Sequence, residues 1–417
     1  MPSLRPPLAL VVVLTLGATG TLAQPHARRL GQLFHRGAAP VGPSRAPRVA
    51  GTDTAACPDC HVEIAREWQD SQHARAWRDD VFQAAYAIEP MAFCRNCHAP
   101  SMARGARTPD ARAAEAGVSC EVCHVRGGRV LGTGNGRGDA PGRSAPHEVL
   151  PVRAFSESAY CAGCHQFDFP GDRAPGRPRF ATDEPMQDTF AEWSMSSAAT
   201  RGVQCQGCHM PMRATADGRA YRSHGFPGSG DRTLLERAVR VTVNASREGT
   251  AAIVRAQVIA DDTGHSFPTG DLFRRAELRV WVGGAEDRAQ LHGFAREFAD
   301  VLERGPAGAS VFVRRQQADT RVPPPGLGAA RTITFRFDGP APVGTPLRIW
   351  WRLEHLLMPS PLAASQGFGP ARNRTTIAEG SVDLAGTLAP SVQRADVSPP
   401  PPRVQRLTLA TNPGDPR

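Results

Sequence analysis

The chain has 417 residues, enough for two or three domains, and a formal net charge of +9 at pH 7. Its 49 basic residues are all Arg, which excludes lysine as a metal ligand. After the N-terminal segment, no stretch approaches the ~18 consecutive apolar residues of a membrane-spanning helix, so we expect a soluble mature protein.

The N-terminal segment has the pattern of a secretory signal peptide. Arg5 precedes an apolar run from Leu8 to Leu16, and small residues follow up to Ala23, after which we expect cleavage. The apolar run is too short to span a bilayer, although a retained N-terminal anchor is the alternative. Residues 1–23 are therefore predicted to be removed on export, which places the protein in the periplasm or on the extracellular surface.

Residues 24–52 are rich in Ala, Pro, Gly and Arg and have no hydrophobic periodicity. This composition predicts a flexible lead-in rather than a packed element. His26 and His35 lie in this segment, and we expect both to be solvated rather than to bind a metal.

Five copies of the pattern C-x-x-C-H follow and use all ten cysteines of the chain. The copies are Cys57–Cys60–His61, Cys94–Cys97–His98, Cys120–Cys123–His124, Cys161–Cys164–His165 and Cys205–Cys208–His209. This pattern is the attachment signature of haem c (heme c): the two thiols bind the porphyrin covalently and the histidine is the proximal iron ligand. Zinc ribbons and a disulfide framework are the alternatives, but neither requires a histidine after every second cysteine. The sequence thus predicts five covalently attached haem c groups.

Residues 53–232 are predicted to form a pentahaem domain of short helices and loops. The motifs are so close together that little polypeptide remains for a hydrophobic core, so the porphyrins must supply much of the buried apolar surface. A helix is predicted from Glu63 to Trp77, with Ile64 and Trp68 on the face of Trp77. The Gly- and Arg-rich stretch from Gly127 to Gly142 is predicted to be an exposed loop.

Beyond residue 232 the cysteines disappear and alternating strands follow. Their period of two and the turn residues between them predict an antiparallel, β-sandwich-like domain over residues 233–387. A Pro-rich disordered tail is predicted over residues 388–417. The predicted strands are 239–243, 252–259, 277–282, 310–313, 331–337 and 347–353.

Eight histidines lie outside the motifs, and a His or Met as sixth ligand makes a haem iron low-spin and suited to electron transfer. The four strongest candidates for distal ligands are His73, His147, His224 and His265. His292 and His355 lie in or beside strands and are expected to be ordinary half-buried histidines.

A comparison within the chain indicates that one iron lacks a strong candidate for a distal histidine. Glu67–Ala74 (EWQDSQHA) has an echo at Glu192–Ala199 (EWSMSSAA), where Ala198 stands in the place of His73. With four candidates for five irons, one sixth position is open or is filled by another side chain. The side chains that remain for it are His292, His355, Met195, Met210 and Met212, of which Met210 and Met212 are expected to pack against haem.

The motifs resemble those of multihaem c-type cytochromes of the cytochrome c-552/c-554 type with a C-terminal β domain. The resemblance rests on EWxxSxHA at 67–74, GVxCxxCH at 117–124, GVQCQGCHMP at 202–211 and GHSFPTG at 264–270, and it covers roughly residues 53–285. It implies closely stacked haems, mostly with two histidine ligands, and His73, His147, His224 and His265 as distal ligands. It does not fix which haem each of them serves.

The leading hypothesis is an exported electron-transfer protein without a catalytic residue of its own. Its partners would be redox proteins such as a quinol dehydrogenase or another cytochrome, and peripheral membrane association is compatible with this role. Nucleic acid is not expected, because the arginines are well suited to pairing with haem propionates. The second hypothesis is a haem enzyme whose open iron site acts on a small nitrogen or sulfur compound. The third is a scaffold role in which the β domain docks a partner.

Overall fold

The structure is a computed structural model that describes most of residues 57–394. The exceptions are 103–108, 127, 134–146, 148, 170–178, 182, 217, 262, 306–307, 329, 341, 343 and 386–390. The predicted signal peptide, the lead-in with His26 and His35, and most of the predicted tail lie outside the described residues. Below, the motif region means residues 57–231 and the β region means residues 232–394.

The motif region is built from short helices, and each C-x-x-C-H copy lies on a helical turn. The first copy begins in a 3₁₀ turn, Cys57–Asp59. The second, third and fifth copies lie in α-helices, and the fourth does so from Ala162 onward, with Cys161 as the N-cap residue. Two further 3₁₀ turns span Arg153–Ser156 and Ser158–Tyr160. The α-helices are α1 (Val62–Gln69), α2 (Asp80–Ile88), α3 (Ala92–His98), α4 (Ala111–Ala116), α5 (Cys120–His124), α6 (Ala162–His165), α7 (Thr189–Ser194), α8 (Ser197–Thr200) and α9 (Cys205–His209).

Side-chain caps fix where several of these helices begin. Asp79 accepts a hydrogen bond from the backbone N–H of Phe82 at the start of α2, and Asp110 accepts one from Ala113 at the start of α4. Such caps satisfy N–H groups that have no partner within the helix. Short capped helices therefore form without long amphipathic stretches.

The helix predicted from Glu63 to Trp77 is shorter than expected, because α1 ends at Gln69. The Ser71 hydroxyl donates to the carbonyl of Trp68 (2.6 Å) and accepts from the N–H of Ala74 (3.2 Å). These bonds compete with the helical pattern, a behaviour typical of serine. Trp77 instead packs against Tyr86 of α2, with ring centroids 5.3 Å apart.

Small strands complete the motif region. They are β1 (Val125–Arg126), β2 (Arg129–Gly132), β3 (Val149–Pro151), β4 (Phe167–Asp168), β5 (Arg179–Phe180), β6 (Pro185–Gln187), β7 (Met212–Ala214) and β8 (Ala220–Arg222). Strand β2 lies within the stretch predicted to be a loop, since it pairs with β1 on one side and with β3 on the other. The loop prediction is therefore wrong over β2. Residues 127 and 134–142 of the same stretch lie outside the described residues.

The β region contains two sheets of long strands. Its helices are α10 (Arg232–Ala238), α11 (Ser360–Ser365) and α12 (Pro370–Asn373), and a 3₁₀ turn spans Glu286–Arg288. Its strands are β9 (Val239–Glu248), β10 (Ala251–Ala260), β11 (Arg275–Val282), β12 (Gln290–Arg304), β13 (Ser310–Asp319), β14 (Ala330–Phe337), β15 (Leu347–Leu356), β16 (Arg374–Leu384) and β17 (Ser391–Arg394).

The strand order is β14–β10–β9–β17 in one sheet and β16–β15–β11–β12–β13–β5 in the other. All pairs are antiparallel except β13 with β5, which is parallel. The six predicted strands are present, and the sequence patterns missed β12 and β16. Strand β17 lies in the segment predicted as a disordered tail, where Val392 pairs with Asn244 of β9.

One apolar core joins the two sheets. Val241 and Val254 come from the first sheet, and Leu278, Ile349 and Leu353 come from the second, and all five are at most 1% exposed. Alternation in β9 turns Val239, Val241 and Val243 into this core. The members of this core all lie between Leu235 and Leu384, so the β region holds the main apolar core of the described chain.

No helix in the described part of the chain is long and apolar enough to cross a membrane.

Candidate cofactor-binding site

One large cavity brings together the residues that the sequence singled out. It has a volume of ≈ 2580 Å³, and its lining includes all ten cysteines and the histidines of all five motifs. Typical pockets for a single small molecule measure about 300–1,000 Å³. Of the eleven described histidines only His292 is not part of the lining. The cavity is therefore large enough for several bulky cofactors, and the chemistry of its lining is that of the motifs.

Hydrogen bonds orient several of the motif histidines. Nδ1 of His98 lies 2.7 Å from the carbonyl of Ala76, and Nδ1 of His124 lies 2.8 Å from that of Leu131. Nδ1 of His209 likewise lies 2.6 Å from the carbonyl of Pro227, and the side-chain amide of Gln187 is 3.0 Å from Nδ1 of His165. A proton on Nδ1 that is donated to a carbonyl leaves Nε2 free to bind a metal.

Each of the four predicted distal histidines lies beside one motif histidine. The pairs and their ring-centroid distances are His61 with His147 (6.5 Å), His73 with His165 (6.3 Å), His124 with His224 (6.1 Å) and His209 with His265 (6.3 Å). The sequence did not indicate these partners: His73 is nearest in sequence to the first motif but lies beside the histidine of the fourth.

The separation within the pairs is that of two imidazoles on opposite sides of one metal ion. Metal–nitrogen bonds of about 2.0 Å place the two Nε2 atoms about 4 Å apart. The ring bond lengths add a radius of a little more than 1 Å on each side, which gives a centroid separation of about 6.3 Å. The thiol pairs and the paired imidazoles thus fit haem c with a histidine on each side of the iron.

His98 of the second motif differs from the other four motif histidines. Among the described residues, no second imidazole pairs with it at this distance, and the ring of Phe82 stacks on it with centroids 3.6 Å apart. Burial lowers the pKa of His98, and the charged groups around it are Asp271, Asp79 and Arg274.

Burial also favours the neutral form of six of the eight paired imidazoles. It lowers the pKa of His73 to about 3 and that of His165 to about 4, with further lowering by neighbouring histidines. The pKa values of His61, His124, His224 and His265 are lowered as well, chiefly by burial. The neutral imidazole is the form that binds a metal.

Of the other candidate ligands, His355, Met210 and Met212 line the cavity, whereas His292 does not. His355 is 3% exposed and lines the cavity, and its Nδ1 has no hydrogen-bond partner among the described residues. Burial, then the charge of Arg274, lowers the pKa of His355 to about 3. His292 lies in the β region with its ring against Phe294 (4.9 Å), away from the cavity lining. Met210 and Met212 also line the cavity, and Met212 is 59% exposed.

Thiols from different motifs also approach one another. Hydrogen-bonded thiol pairs link the first motif to the third (Cys57 with Cys120), the second to the fourth (Cys97 with Cys164) and the fourth to the fifth (Cys161 with Cys205). Burial, and then the neighbouring thiol of Cys164, raises the pKa of Cys123 to about 11. Thiols of the first and third, the second and fourth, and the fourth and fifth motifs are therefore adjacent.

Sequence reasoning missed the groups that orient the histidines. The carbonyls of Ala76, Leu131 and Pro227 carry no side-chain signal, so no pattern marks them. Phe226 was missed as well, although its ring lies 4.2 Å from that of His73 and its φ of 45° is unusual for a residue other than glycine. The position of Phe226 in S-H-G-F-P-G, two residues after His224, is the sequence feature that could have marked it as a site residue.

Comparisons with known proteins agree with the chemistry of this cavity. The model of the family described as cytochrome c554 and c-prime matches residues 56–125, which contain the first three motifs. No curated protein sequence matches the chain. Among solved structures, the penta-heme cytochrome c552 from Thermochromatium tepidum is similar, with a TM-score of 0.58 at 20% sequence identity. The match covers 79% of this chain and 97% of that chain.

The repeated attachment motif and the cavity that its residues line are the features expected of a c-type cytochrome with several haems. The family model over residues 56–125 and the likeness in fold to the penta-heme cytochrome support the interpretation of the chain as a multihaem c-type cytochrome of the c-552/c-554 type.

Proposed function

We propose that this protein is an exported cytochrome that holds five covalently attached haem c groups and passes electrons between redox partner proteins. The observation that carries the proposal is the set of four histidine pairs, each 6.1–6.5 Å apart at its ring centroids, around one cavity. When bound, haem c supplies an iron that exchanges one electron at a time.

In this proposal the chain's own residues attach, orient and shield the cofactors. The ten motif cysteines form the thioether links, and the five motif histidines are the proximal ligands. His147, His224, His73 and His265 are the distal ligands of the first, third, fourth and fifth motifs, respectively. The carbonyl of Leu131, for example, holds His124 through Nδ1 at 2.8 Å and so fixes the plane of its ring.

Close spacing of the haems is supported by the thiol contacts between motifs. Through Cys57–Cys120 the first site adjoins the third, and through Cys161–Cys205 the fourth adjoins the fifth. Cys123 and Cys164 of the third and fourth motifs are near enough to influence each other's charge. The electron path that we propose therefore runs through the first, third, fourth and fifth sites, with the second site beside the fourth through Cys97–Cys164.

Export and the redox partners follow from the sequence patterns. The N-terminal segment resembles a signal peptide, and haem c is attached after export, so we place the protein in the periplasm or on the extracellular surface. A quinol dehydrogenase or another cytochrome is the proposed partner, and two histidine ligands set lower potentials than histidine with methionine.

Low-temperature electron paramagnetic resonance on the oxidised, fully loaded protein tests this proposal. We expect five haems per chain by pyridine haemochrome assay and about four low-spin signals for each high-spin one. Fewer than five haems would overturn the count. Loss of low-spin character at most sites would overturn the histidine pairs.

A second candidate function rests on His98. Because Phe82 stacks on this imidazole and no histidine pairs with it among the described residues, the second iron is the one proposed to have an open sixth position. Arg274 and Asp271 are charged groups near His98, and Arg274 also influences buried His355. A small nitrogen or sulfur compound is the ligand class that such a site would take.

Addition of nitrite, hydroxylamine and sulfite to the oxidised protein separates the two functions. A binding compound would convert the one high-spin signal and leave the four low-spin signals in place. Turnover with one of these compounds would favour an enzyme. Five low-spin haems would instead support electron transfer as the only function of the two and would require a fifth distal ligand such as His355.

A further inference from the structure

A hydrogen-bonded unit in the motif region ties helix α1 to the third motif. The indole Nε1 of Trp68 donates to the carbonyl of Val118 (2.9 Å). In return, the backbone N–H of Val118 donates to the carbonyl of His73 (2.9 Å). Val118 stands two residues before Cys120, so these two bonds fix the attachment turn of the third motif against the segment that carries His73.

The same unit recurs around the fifth motif. Nε1 of Trp193 donates to the carbonyl of Val203 (2.9 Å), and the N–H of Val203 donates to the carbonyl of Ala198 (2.9 Å). Val203 stands two residues before Cys205. The sequence echo between 67–74 and 192–199 is therefore an internal structural repeat, in which each copy supports one C-x-x-C-H turn.

The glutamate that precedes the tryptophan has a further contact in the first copy. One carboxylate oxygen of Glu67 accepts a hydrogen bond from the backbone N–H of His224 (2.8 Å). The other accepts one from the hydroxyl of Tyr221 (3.1 Å), and the guanidinium of Arg213 is 3.6 Å away. Glu67 thus binds the segment that places the His224 ring 6.1 Å from that of His124.

Glu192 makes the corresponding contact in the second copy. One of its carboxylate oxygens accepts from the backbone N–H of Ser266 (3.0 Å) and from the hydroxyl of Thr269 (3.1 Å). Both residues lie in the loop that carries His265, whose ring is 6.3 Å from that of His209. In both copies, therefore, the glutamate binds the distal-histidine segment that faces the motif of its own unit.

The second copy adds an arginine from the β region. The guanidinium of Arg321 lies 2.7 Å from the other carboxylate oxygen of Glu192, and both side chains are at most 7% exposed. Arg321 also forms a two-pronged contact with Asp319, at 2.9 and 2.7 Å. Removal of either partner from a buried ion pair is strongly destabilising, because it leaves a buried charge without compensation.

We propose that Glu67 and Glu192 are positioning residues for the distal ligands His224 and His265, respectively. This inference rests on the ligand assignments proposed above. Hydrogen bonds from N–H groups to a carboxylate are strong and directional, so each glutamate fixes the loop before the cofactor is bound. Groups that hold metal ligands in this way are worth about 10–100-fold in metal affinity.

Each glutamate variant is the control for the other, because Glu67 and Glu192 occupy the same position in their two copies of the repeat. Glu67→Gln and Glu192→Gln are prepared as full-length, haem-loaded proteins. Cyanide is titrated into the oxidised protein, and the low-spin signals are followed. In Glu192→Gln we expect the cyanide concentration that replaces half of the His265 ligand to fall about 10-fold or more, with the His224 site unchanged. The reverse is expected for Glu67→Gln.

His224→Ala and His265→Ala identify which signal belongs to each site and separate two kinds of failure. If His265→Ala leaves every signal unchanged, the ligand assignment is wrong. If His265→Ala removes a signal and Glu192→Gln leaves cyanide binding unchanged, the positioning role is wrong while the assignment stands. Equal changes at both sites in either glutamate variant would indicate general loosening of the protein and would also overturn the positioning role.

Discussion

The imidazoles of His73 and His165 lie with ring centroids 6.3 Å apart, although His73 follows the first C-x-x-C-H motif and His165 belongs to the fourth. In the ligand assignment proposed above, His73 therefore serves the fourth motif rather than the first, which is the motif nearest to it in sequence. In that assignment, the cofactor of the fourth motif would join the segment of His73 to the segment of His165.

The first prediction concerns this pair. His73→Ala is expected to convert one low-spin haem to high-spin, because an alanine leaves the iron of the fourth motif with one protein ligand. Electron paramagnetic resonance measures the change. In a variant with Cys161 and Cys164 replaced by Ser, the same low-spin signal should be missing, whereas its loss in a Cys57 and Cys60 variant would contradict the pairing. His292→Ala is the control and should leave all signals unchanged.

The second prediction concerns two equivalent glycines of the internal repeat. Gly117 has a φ of 52°, and a Cβ there would lie 2.6 Å from the carbonyl oxygen of His73. Gly202 has a φ of 73°, but a Cβ there would meet no atom within 4 Å. Gly202→Ala should therefore cost only the roughly 1–2 kcal/mol of left-handed backbone. Gly117→Ala should cost about 1–3 kcal/mol more, because the contact must also relax.

Urea unfolding followed by circular dichroism measures these free energies, and the haem spectrum gives a second readout. Gly117→Ala should weaken the low-spin signal that His73→Ala removes, since the clash acts on the His73 carbonyl. Gly202→Ala should leave that signal in place. Equal effects of the two substitutions on stability would contradict the role of the close approach at Gly117.

The third prediction concerns the pH dependence of stability through Asp188. Burial, with the neighbouring charge of Glu192, raises the pKa of Asp188 from 3.8 to about 6. Because its pKa is higher in the folded protein, the folded state holds the proton more tightly than the unfolded chain does. The free energy of unfolding should therefore fall as pH rises from about 4 through about 6, by at most about 3 kcal/mol.

Asp188→Asn should remove this part of the pH dependence while keeping an acceptor for the side chain of Gln166, which donates to Asp188 at 2.8 Å. Urea unfolding at a series of pH values between 4 and 7 measures the slope in both proteins. An unchanged slope in Asp188→Asn would show that other groups cause the pH dependence.

The fourth prediction concerns removal of the cofactors. When all ten motif cysteines are replaced by Ser, so that haem c cannot attach, the motif region should lose its structure while the β region stays folded. The main apolar core of the described chain spans Leu235 to Leu384 and includes no residue of the motifs. The motif residues instead line a cavity of ≈ 2580 Å³, which the cofactors would fill. Limited proteolysis and far-ultraviolet circular dichroism measure the outcome, and a protected motif region without haem would contradict it.

The sequence by itself determined the chemistry of this protein. The spacing C-x-x-C-H is a local pattern, because two thiols one helical turn apart and an adjacent imidazole need only one short helix, and all five copies form such turns. The six strands predicted in the β region are present for a similar reason: alternation of Val with polar residues, as in Val239–Val243, is a property of each strand alone. Strands β12 and β16 escaped prediction since their burial does not alternate regularly.

Only the tertiary structure decided which side chains meet. His147, His73, His224 and His265 were candidates from their sequence surroundings, but their pairing with His61, His165, His124 and His209 depends on how distant segments fold around the cavity. The carbonyls that orient the imidazoles have no sequence signal. The same holds for Glu67 and Glu192, whose shared role becomes visible only when the loops carrying His224 and His265 lie against them. Local spacing fixes what a residue can bind, whereas long-range packing fixes its partner.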